Sequence, residues 1–346
     1  MDLDAFNYHL PEDLIAQTPC EQRDGSRMMV INRERASISH ARFSHFPGYL
    51  KKEDVLVIND SKVIPARLTG RKDTGAAIEI LLLSRAGMET PLCQSWEVLL
   101  KPAKRVSVGA RIRLEEGCEA VVAERLSAKK WLLKFVMTTP ISCYLERYGK
   151  APLPPYIKRR AGSAVSRDDL ARYQTIYARW PGSVAAPTAG LHFSEKVMAR
   201  LNDRNVELAP VTLHVGYGTF RPIDSELIED HVMEAEFLQV SEGSAGTINR
   251  AERVIAVGTT AVRVIETQAD EAGRVHPGSS WSNLFIYPGY RFKRVDALLT
   301  NFHLPLSSLF LLVCAFAGTE LMQQAYRLAV ADRYRFYSYG DCMLIL

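Results

Sequence analysis

Between Ala66 and Val136 the chain breaks into short apolar segments separated by glycines and charged turns: Ala77 to Leu83, Trp96 to Leu100, Arg111 to Leu114, Glu119 to Ala123 and Trp131 to Val136. No helical period of comparable strength runs through them. Several strands at such spacing suggest a small β-barrel. Helix-and-strand patterning resumes afterwards, so the barrel is expected to interrupt a larger unit. The expected fold class is an α/β main domain with an inserted small all-β barrel domain. Residues 1–62 and 150–346 would form the discontinuous α/β domain and residues 63–149 the barrel.

Charge follows the same division. Between Ser61 and Arg160 stand 19 Lys and Arg against 9 Asp and Glu, so a chain of net charge +4 is strongly basic there and acidic elsewhere. Such a segment suits an anionic partner, and equally suits a solvated surface that keeps the protein soluble. Lys101, Lys104 and Arg105 lie in the barrel, and Lys158-Arg159-Arg160 follows the stiff run Pro152-Leu153-Pro154-Pro155-Tyr156-Ile157. An aromatic beside three cations is a place for nucleic acid to lie, and a hinge with solvated charges is the plainer alternative.

A length of 346 residues with 47 % hydrophobic side chains suits about two domains with sizeable cores. The longest apolar run, Leu309 to Ala317, has nine residues, against the ~20 a membrane-spanning helix needs. With no targeting pattern at the amino end, the expectation is a cytoplasmic protein without membrane contact. The six cysteines form no close pair, and His192, His214, His231 and His303 show no short ligand spacing, so no metal is expected.

Candidate chemistry sits at the ends of apolar segments. Gly182 to Phe193 and Thr212 to Phe220 are two loops of Pro, Thr, Gly and His, which offer close backbone approach, hydroxyls and a titratable ring. Asp54 to Ile58 reads as a buried strand that ends at Asn59-Asp60-Ser61. Arg253 to Val257 reads as a strand and Ala261 to Ala269 as a helix, joined by Gly258-Thr259-Thr260, whose backbone N–H groups and hydroxyls suit an anion or a ribose. Leu284 to Pro288 and Val295 to Thr300 read as strands, the second ending in Asn301-Phe302-His303. Leu10 to Gln17 has the Pro and acidic residues of a helix start, and Glu320 to Asp332 reads as a core helix. No P-loop, dinucleotide fingerprint, zinc-protease helix or nucleophile elbow is present. The residues alone therefore describe a polar small-molecule site with a basic auxiliary barrel, and name no reaction.

Motifs spread along nearly the whole chain add a name. Asn59-Asp60, Val63-Ile64-Pro65-Ala66-Arg67-Leu68, Ala185-Ala186-Pro187-Thr188-Ala189-Gly190-Leu191-His192-Phe193, Thr212-Leu213-His214-Val215-Gly216, Gly218-Thr219-Phe220, Tyr287-Pro288-Gly289-Tyr290, Thr300-Asn301-Phe302-His303-Leu304-Pro305 and Ser338-Tyr339-Gly340-Asp341 occur in order. In these the chain resembles the S-adenosylmethionine:tRNA ribosyltransferase-isomerases of queuosine biosynthesis, the QueA family. It departs from the family pattern at Glu234, at Asn283 and at Asp60-Ser61-Lys62.

The resemblance implies a transferase with isomerase chemistry that modifies tRNA. S-adenosylmethionine, a consumed substrate rather than a cofactor, would donate its ribosyl portion to 7-aminomethyl-7-deazaguanine at the wobble position of a tRNA with a GUN anticodon. Epoxyqueuosine, adenine and methionine would result. On that reading His192, His214, Asp60 and Asp341 are the acid-base candidates. Gly216, Gly218, Thr219, Gly258, Thr259, Thr260, Asn301 and His303 would hold the donor, and Lys101, Lys104, Arg105, Lys158, Arg159 and Arg160 would meet tRNA phosphates. No metal is implied, and the protein is expected to act as a monomer. The alternatives are a methyltransferase acting on RNA with the same donor, and a non-catalytic RNA-binding protein.

Overall fold

The run Asp54–Asn59 is buried at all six of its positions. Val55 and Val57 enter one hydrophobic core while Leu56 and Ile58 enter another, as the period-2 alternation of a strand covered on both faces requires. The strand is the centre of a nine-stranded mixed sheet in a computed structural model that describes residues 1–159, 167–220, 223 and 225–346. Two compact units are present. The first comprises Met1–Lys62, Pro154–Lys158 and Arg172–Leu346, and the second Val63–Leu153 with Arg159–Ala171.

In the first unit the strands are β1 (Arg27–Asn32), β2 (Ser37–Arg42), β3 (Asp54–Asn59), β4 (Glu207–Leu213), β5 (Glu236–Val240), β6 (Arg253–Val257), β7 (Gly278–Ser282), β8 (Ala297–Asn301) and β9 (Cys342–Ile345). Their order across the sheet is β7-β5-β4-β3-β6-β8-β9-β1-β2. Strands β4, β3, β6 and β8 run parallel, β9 lies antiparallel to β8, and β1 is parallel to β9. One edge of the sheet therefore gathers the carboxyl ends of four parallel strands and the starts of β9 and β1.

The helices are α1 (Glu195–Asp203), α2 (Glu242–Arg250), α3 (Gly258–Gln268), α4 (Ser308–Ala317) and α5 (Thr319–Ala331). Side chains of α2 to α5 pack in the core that holds Val55 and Val57, whereas Val197 and Leu201 of α1 join Phe43 and Phe46 in the other. Ser194, Ser241 and Ser307 begin α1, α2 and α4, each accepting a backbone N–H from the first turn. Helix α3 starts without a side-chain cap. Among the described residues no single helix is long and apolar enough to cross a membrane.

Two elements differ from expectation. Leu10 to Gln17 forms only the short turn Glu12–Leu14, because Phe336 draws the chain into extended pairing, donating to Leu14 O and accepting from Ala16 N. Leu284 to Pro288 is not a strand; the polar segment Gly278–Ser282 is, as an edge strand paired only to β5. Leu284, Phe285 and Tyr287 pack against the core from an irregular segment, so their apolar character reported burial and not extended pairing.

The second unit is a closed six-stranded barrel in the order Lys130–Val136, Cys93–Lys101, Ala77–Thr90, Arg67–Lys72, Arg111–Arg113, Glu119–Arg125. Leu68, Ile80, Val98, Ile112, Val122 and Leu133 are buried within it. Arg67–Lys72 completes the ring beyond the five strands expected. At Gly70 a β-carbon would lie 2.5 Å from Ile112 Cγ2, so that position tolerates no side chain.

Candidate active site

Ligand sites in parallel α/β sheets lie beyond the carboxyl ends of the strands. Here a cleft opens there, bounded by the Ala185–Ala189 segment, the start of α3, the end of β8 and Tyr337-Ser338. Gly258 turns the chain from β6 into α3 with a φ of +84°, a conformation that costs glycine little. Thr259 and Thr260 then line the cleft, and the uncapped first turn of α3 leaves its N–H groups toward it. Thr260 Oγ1 is buried with no hydrogen-bond partner among the described residues.

Opposite, Asn301 closes β8. Its Nδ2 donates to Tyr337 O at 2.8 Å, which leaves Oδ1 buried without a protein partner among the described residues. Tyr337 itself has a φ of +73°, rare for a bulky residue, and its backbone N–H donates to Phe302 O at 3.0 Å. Tyr156 packs edge-on against Tyr337, with centroids 3.9 Å apart, and shares a hydrogen bond with the Ser338 hydroxyl. His303 lines the cleft with Nε2 at 3.0 Å from Thr300 Oγ1, and burial pulls its pKa down to about 3, so the imidazole is neutral.

Of the residues expected to hold a substrate, Gly258, Thr259, Thr260, Asn301 and His303 line this cleft together. Gly216 and Gly218 do not, although Val215 does, and the side chain of Thr219 lies outside the described residues. Gly216 N donates to Glu236 Oε1 at 2.7 Å, and Glu236 forms a buried ion pair with Arg263 of α3, so this loop is anchored on the sheet. A β-carbon at Gly218 would lie 3.3 Å from the Glu234 carboxylate. Thr219 belongs to the short turn Tyr217–Phe220.

None of the four acid-base candidates lines the cleft. His192 is closest in role: its Nδ1 lies 2.7 Å from Ser26 Oγ. Burial brings its pKa down to about 4, against the opposing Asp341 charge and Asn301. Asp60, at the end of β3, accepts from Thr212 Oγ1 at 2.6 Å. Burial raises its pKa, with Thr212 and Arg179 acting against the rise. His214 leaves the end of β4, its ring against the Gly182 backbone, and burial lowers its pKa. Asp341 is a structural anchor and not a free base. Its oxygens accept from the backbone N–H of Arg27 and Arg335, and both guanidinium groups pair with it.

Sequence reasoning did not place Thr188, Thr300, Tyr337 and Ser338 in a site, and Tyr156, read beside the Lys158 to Arg160 cations, also lines the cleft. The one local signal for the Tyr residues is the density of aromatic and hydroxyl groups in Arg335 to Asp341.

The cations divide. Lys101 and Lys104 are exposed on the barrel, and Lys158 is exposed with Nζ 3.3 Å from Glu12. Arg159 is half-buried and paired with Asp169 at 2.7 Å. Arg160 and the side chain of Arg105 lie outside the described residues. Among the described residues no group of three or more His, Cys, Asp or Glu is placed to hold a metal ion.

The cleft sets hydroxyl, amide and imidazole groups into a largely apolar wall, and comparison with known proteins supplies its chemical context. The family model described as queuosine biosynthesis protein matches residues 3–345. A protein of Syntrophus aciditrophicus described as S-adenosylmethionine:tRNA ribosyltransferase-isomerase is 58 % identical, covering all of both chains. One of Moorella thermoacetica with the same description is 50 % identical, again over all of both. The crystal structure of S-adenosylmethionine tRNA ribosyltransferase from Thermotoga maritima is 36 % identical, covers 99 % of this chain and 100 % of that one, and superposes with a TM-score of 0.54. Matched from end to end in sequence and fold, the chain belongs to the queuosine-biosynthesis family of S-adenosylmethionine:tRNA ribosyltransferase-isomerases.

Proposed function

We propose that this protein transfers and isomerises the ribosyl portion of S-adenosylmethionine onto 7-aminomethyl-7-deazaguanine at the wobble position of a tRNA with a GUN anticodon. It acts as a cytoplasmic monomer, releasing adenine and methionine. Family membership carries the reaction class, and the cleft carries the placement of the donor.

The sulfonium acidifies the adjacent ribose carbon, so the first step is loss of a proton to a base. Adenine then leaves, the acceptor amine attacks, and the epoxide closes as methionine departs. Such a sequence needs polar groups that hold an opening sugar in a partly dry site. Thr260 Oγ1 and Asn301 Oδ1 are buried with no hydrogen-bond partner among the described residues, so each is available to a ligand hydroxyl or ring nitrogen. A buried polar atom without a partner costs roughly 1–3 kcal/mol, which a ligand hydrogen bond recovers. His303 offers a neutral imidazole to the same space, and the first turn of α3 suits the methionine carboxylate.

His192 stands behind the cleft, its pKa influenced by Asn301 and Asp341. Asp60, the carboxylate nearest a parallel strand's end with a raised pKa, is the stronger base candidate because burial makes it more basic. His214 and the Gly216 to Thr219 loop would close the donor side. Phosphates of the tRNA would meet Lys101, Lys104, Arg105, Lys158 and Arg160, and Arg159 if it exchanges Asp169 for a phosphate.

The test is to incubate the protein with S-adenosylmethionine and tRNA carrying 7-aminomethyl-7-deazaguanine and to identify the small products by mass spectrometry. Adenine and methionine, formed only with that tRNA, support the reading. S-adenosylhomocysteine would mean methyl transfer and overturn it.

A further inference from the structure

A row of aromatic rings crosses one face of the sheet beside the cleft. The His214 ring is stacked on Phe237 with centroids 5.9 Å apart and planes 18° apart. Phe237 in turn meets Trp281 at 5.7 Å and 71°. These rings come from three adjacent strands or their ends: His214 follows β4, Phe237 lies in β5, and Trp281 stands directly opposite Phe237 in β7. Cross-strand neighbours in register share a face, so the row follows from the pairing.

The row extends the other way. A β-carbon at Gly182 would lie 2.8 Å from the His214 ring, so the Gly182 backbone floors that imidazole. Trp180 stands two residues earlier in the same strand, Trp180–Ser183. The Arg179 guanidinium sits over the Trp180 ring, 4.9 Å from its centroid. Trp180 and Trp281, at the two ends, are 49 % and 67 % exposed. Large rings this open are costly to leave in water without a partner.

The position of the row points to its occupant. Val215, next to His214, and Ala185, two residues past the Trp180–Ser183 strand, both line the cleft. A nucleobase that reacts in the cleft must leave its stack, and its neighbours then lose stacking partners of their own. Aromatic side chains restore such stacking without reading sequence, and cations beside them meet the phosphates. Arg179 and Lys62 are both exposed on the two-stranded ribbon that carries Trp180.

We propose that the Trp180, His214, Phe237 and Trp281 row is a stacking surface for the unpaired bases that flank the modified nucleotide of the RNA substrate. The proposal rests on the ribosyl-transfer reading and deepens it.

The test uses the full chain and an anticodon stem-loop RNA carrying 7-aminomethyl-7-deazaguanine, with a fully paired duplex as control. Trp281→Ala should weaken stem-loop binding by roughly 5- to 150-fold, the range that loss of one base-aromatic stack implies. Trp281→Phe should recover most of it, and Trp180→Ala should act in the same direction. Duplex binding and the KM for S-adenosylmethionine should stay put. Unchanged stem-loop affinity in both alanine variants, or loss that is equal for the duplex, overturns the stacking surface while adenine release by the unsubstituted protein upholds the reaction. A change from dimer to monomer in Trp281→Ala would instead assign the row to a second copy of the chain and also overturn it. No adenine from the unsubstituted protein would remove the reading and the inference together.

Discussion

Ser26 Oγ lies 2.7 Å from Nδ1 of His192, 166 residues away in the chain. Asn301, whose amide is oriented by its bond to Tyr337 O, is among the groups that act on the ring's pKa. His192 Nε2 is buried with no hydrogen-bond partner among the described residues, so Ser26 is the one hydroxyl seen to fix the ring. His192 thus stands beside the cleft's support, while Tyr337 O holds the Asn301 amide.

The first consequence is a pH dependence of stability. His192 has a folded pKa of about 4 against an ordinary value of 6.5. Between those values the unfolded chain binds more protons than the folded one, so stability is fully present above about 6.5 and is lost as pH falls toward 4. Urea unfolding at pH 7.5 and 5.0 should show a drop to which His192 contributes roughly 2 kcal/mol. His192→Gln should shrink the drop. An equal drop in both proteins would show that His192 is not held neutral.

Thr260→Val should separate function from stability. Since Thr260 Oγ1 has no partner among the described residues, removing it should leave the urea midpoint unchanged or slightly higher. The KM for S-adenosylmethionine should rise about tenfold, the worth of one ligand hydrogen bond. A stability loss without a change in KM would mean that the hydroxyl serves the fold.

Arg263→Ala tests the anchor under the Gly216 loop. It leaves Glu236 in the interior without its ion-pair partner, and breaking a buried pair in this way costs about 3–5 kcal/mol. Denaturant unfolding measures the loss directly. A cost below 1 kcal/mol would show that water reaches the Glu236 carboxylate.

Asp60 is tested through its neighbour. The Thr212 hydroxyl lowers the Asp60 pKa against burial, so Thr212→Val should raise that pKa further. If ionised Asp60 takes the ribose proton, the acid limb of kcat/KM must move to higher pH in that variant. A limb that stays where it was assigns the proton transfer elsewhere.

Much of the architecture was legible because it is local. Alternating burial along Lys130–Val136 and full burial of Asp54–Asn59 are written in the order of apolar side chains. Likewise Gly258-Thr259-Thr260 was found where a strand gives way to a helix, although the helix starts at Gly258 and takes in all three. Where apolar character and extended pairing part company, as at Leu284 and Trp281, pattern reading chose the wrong segment for β7.

The sequence by itself determined the two-part architecture, the family, and the loops that carry polar chemistry, since periodicity and motif order need no partner from elsewhere in the chain. Only the tertiary structure decided what each polar group does. Asp341 looks the same on paper whether or not Arg27, 314 positions away, takes its carboxylate. The cleft likewise joins Tyr156, Thr260, Asn301 and Tyr337, which no local pattern brings together. Whether a carboxylate or imidazole is spent on the fold or left for a ligand depends on its neighbours in space, and the sheet order sets those neighbours.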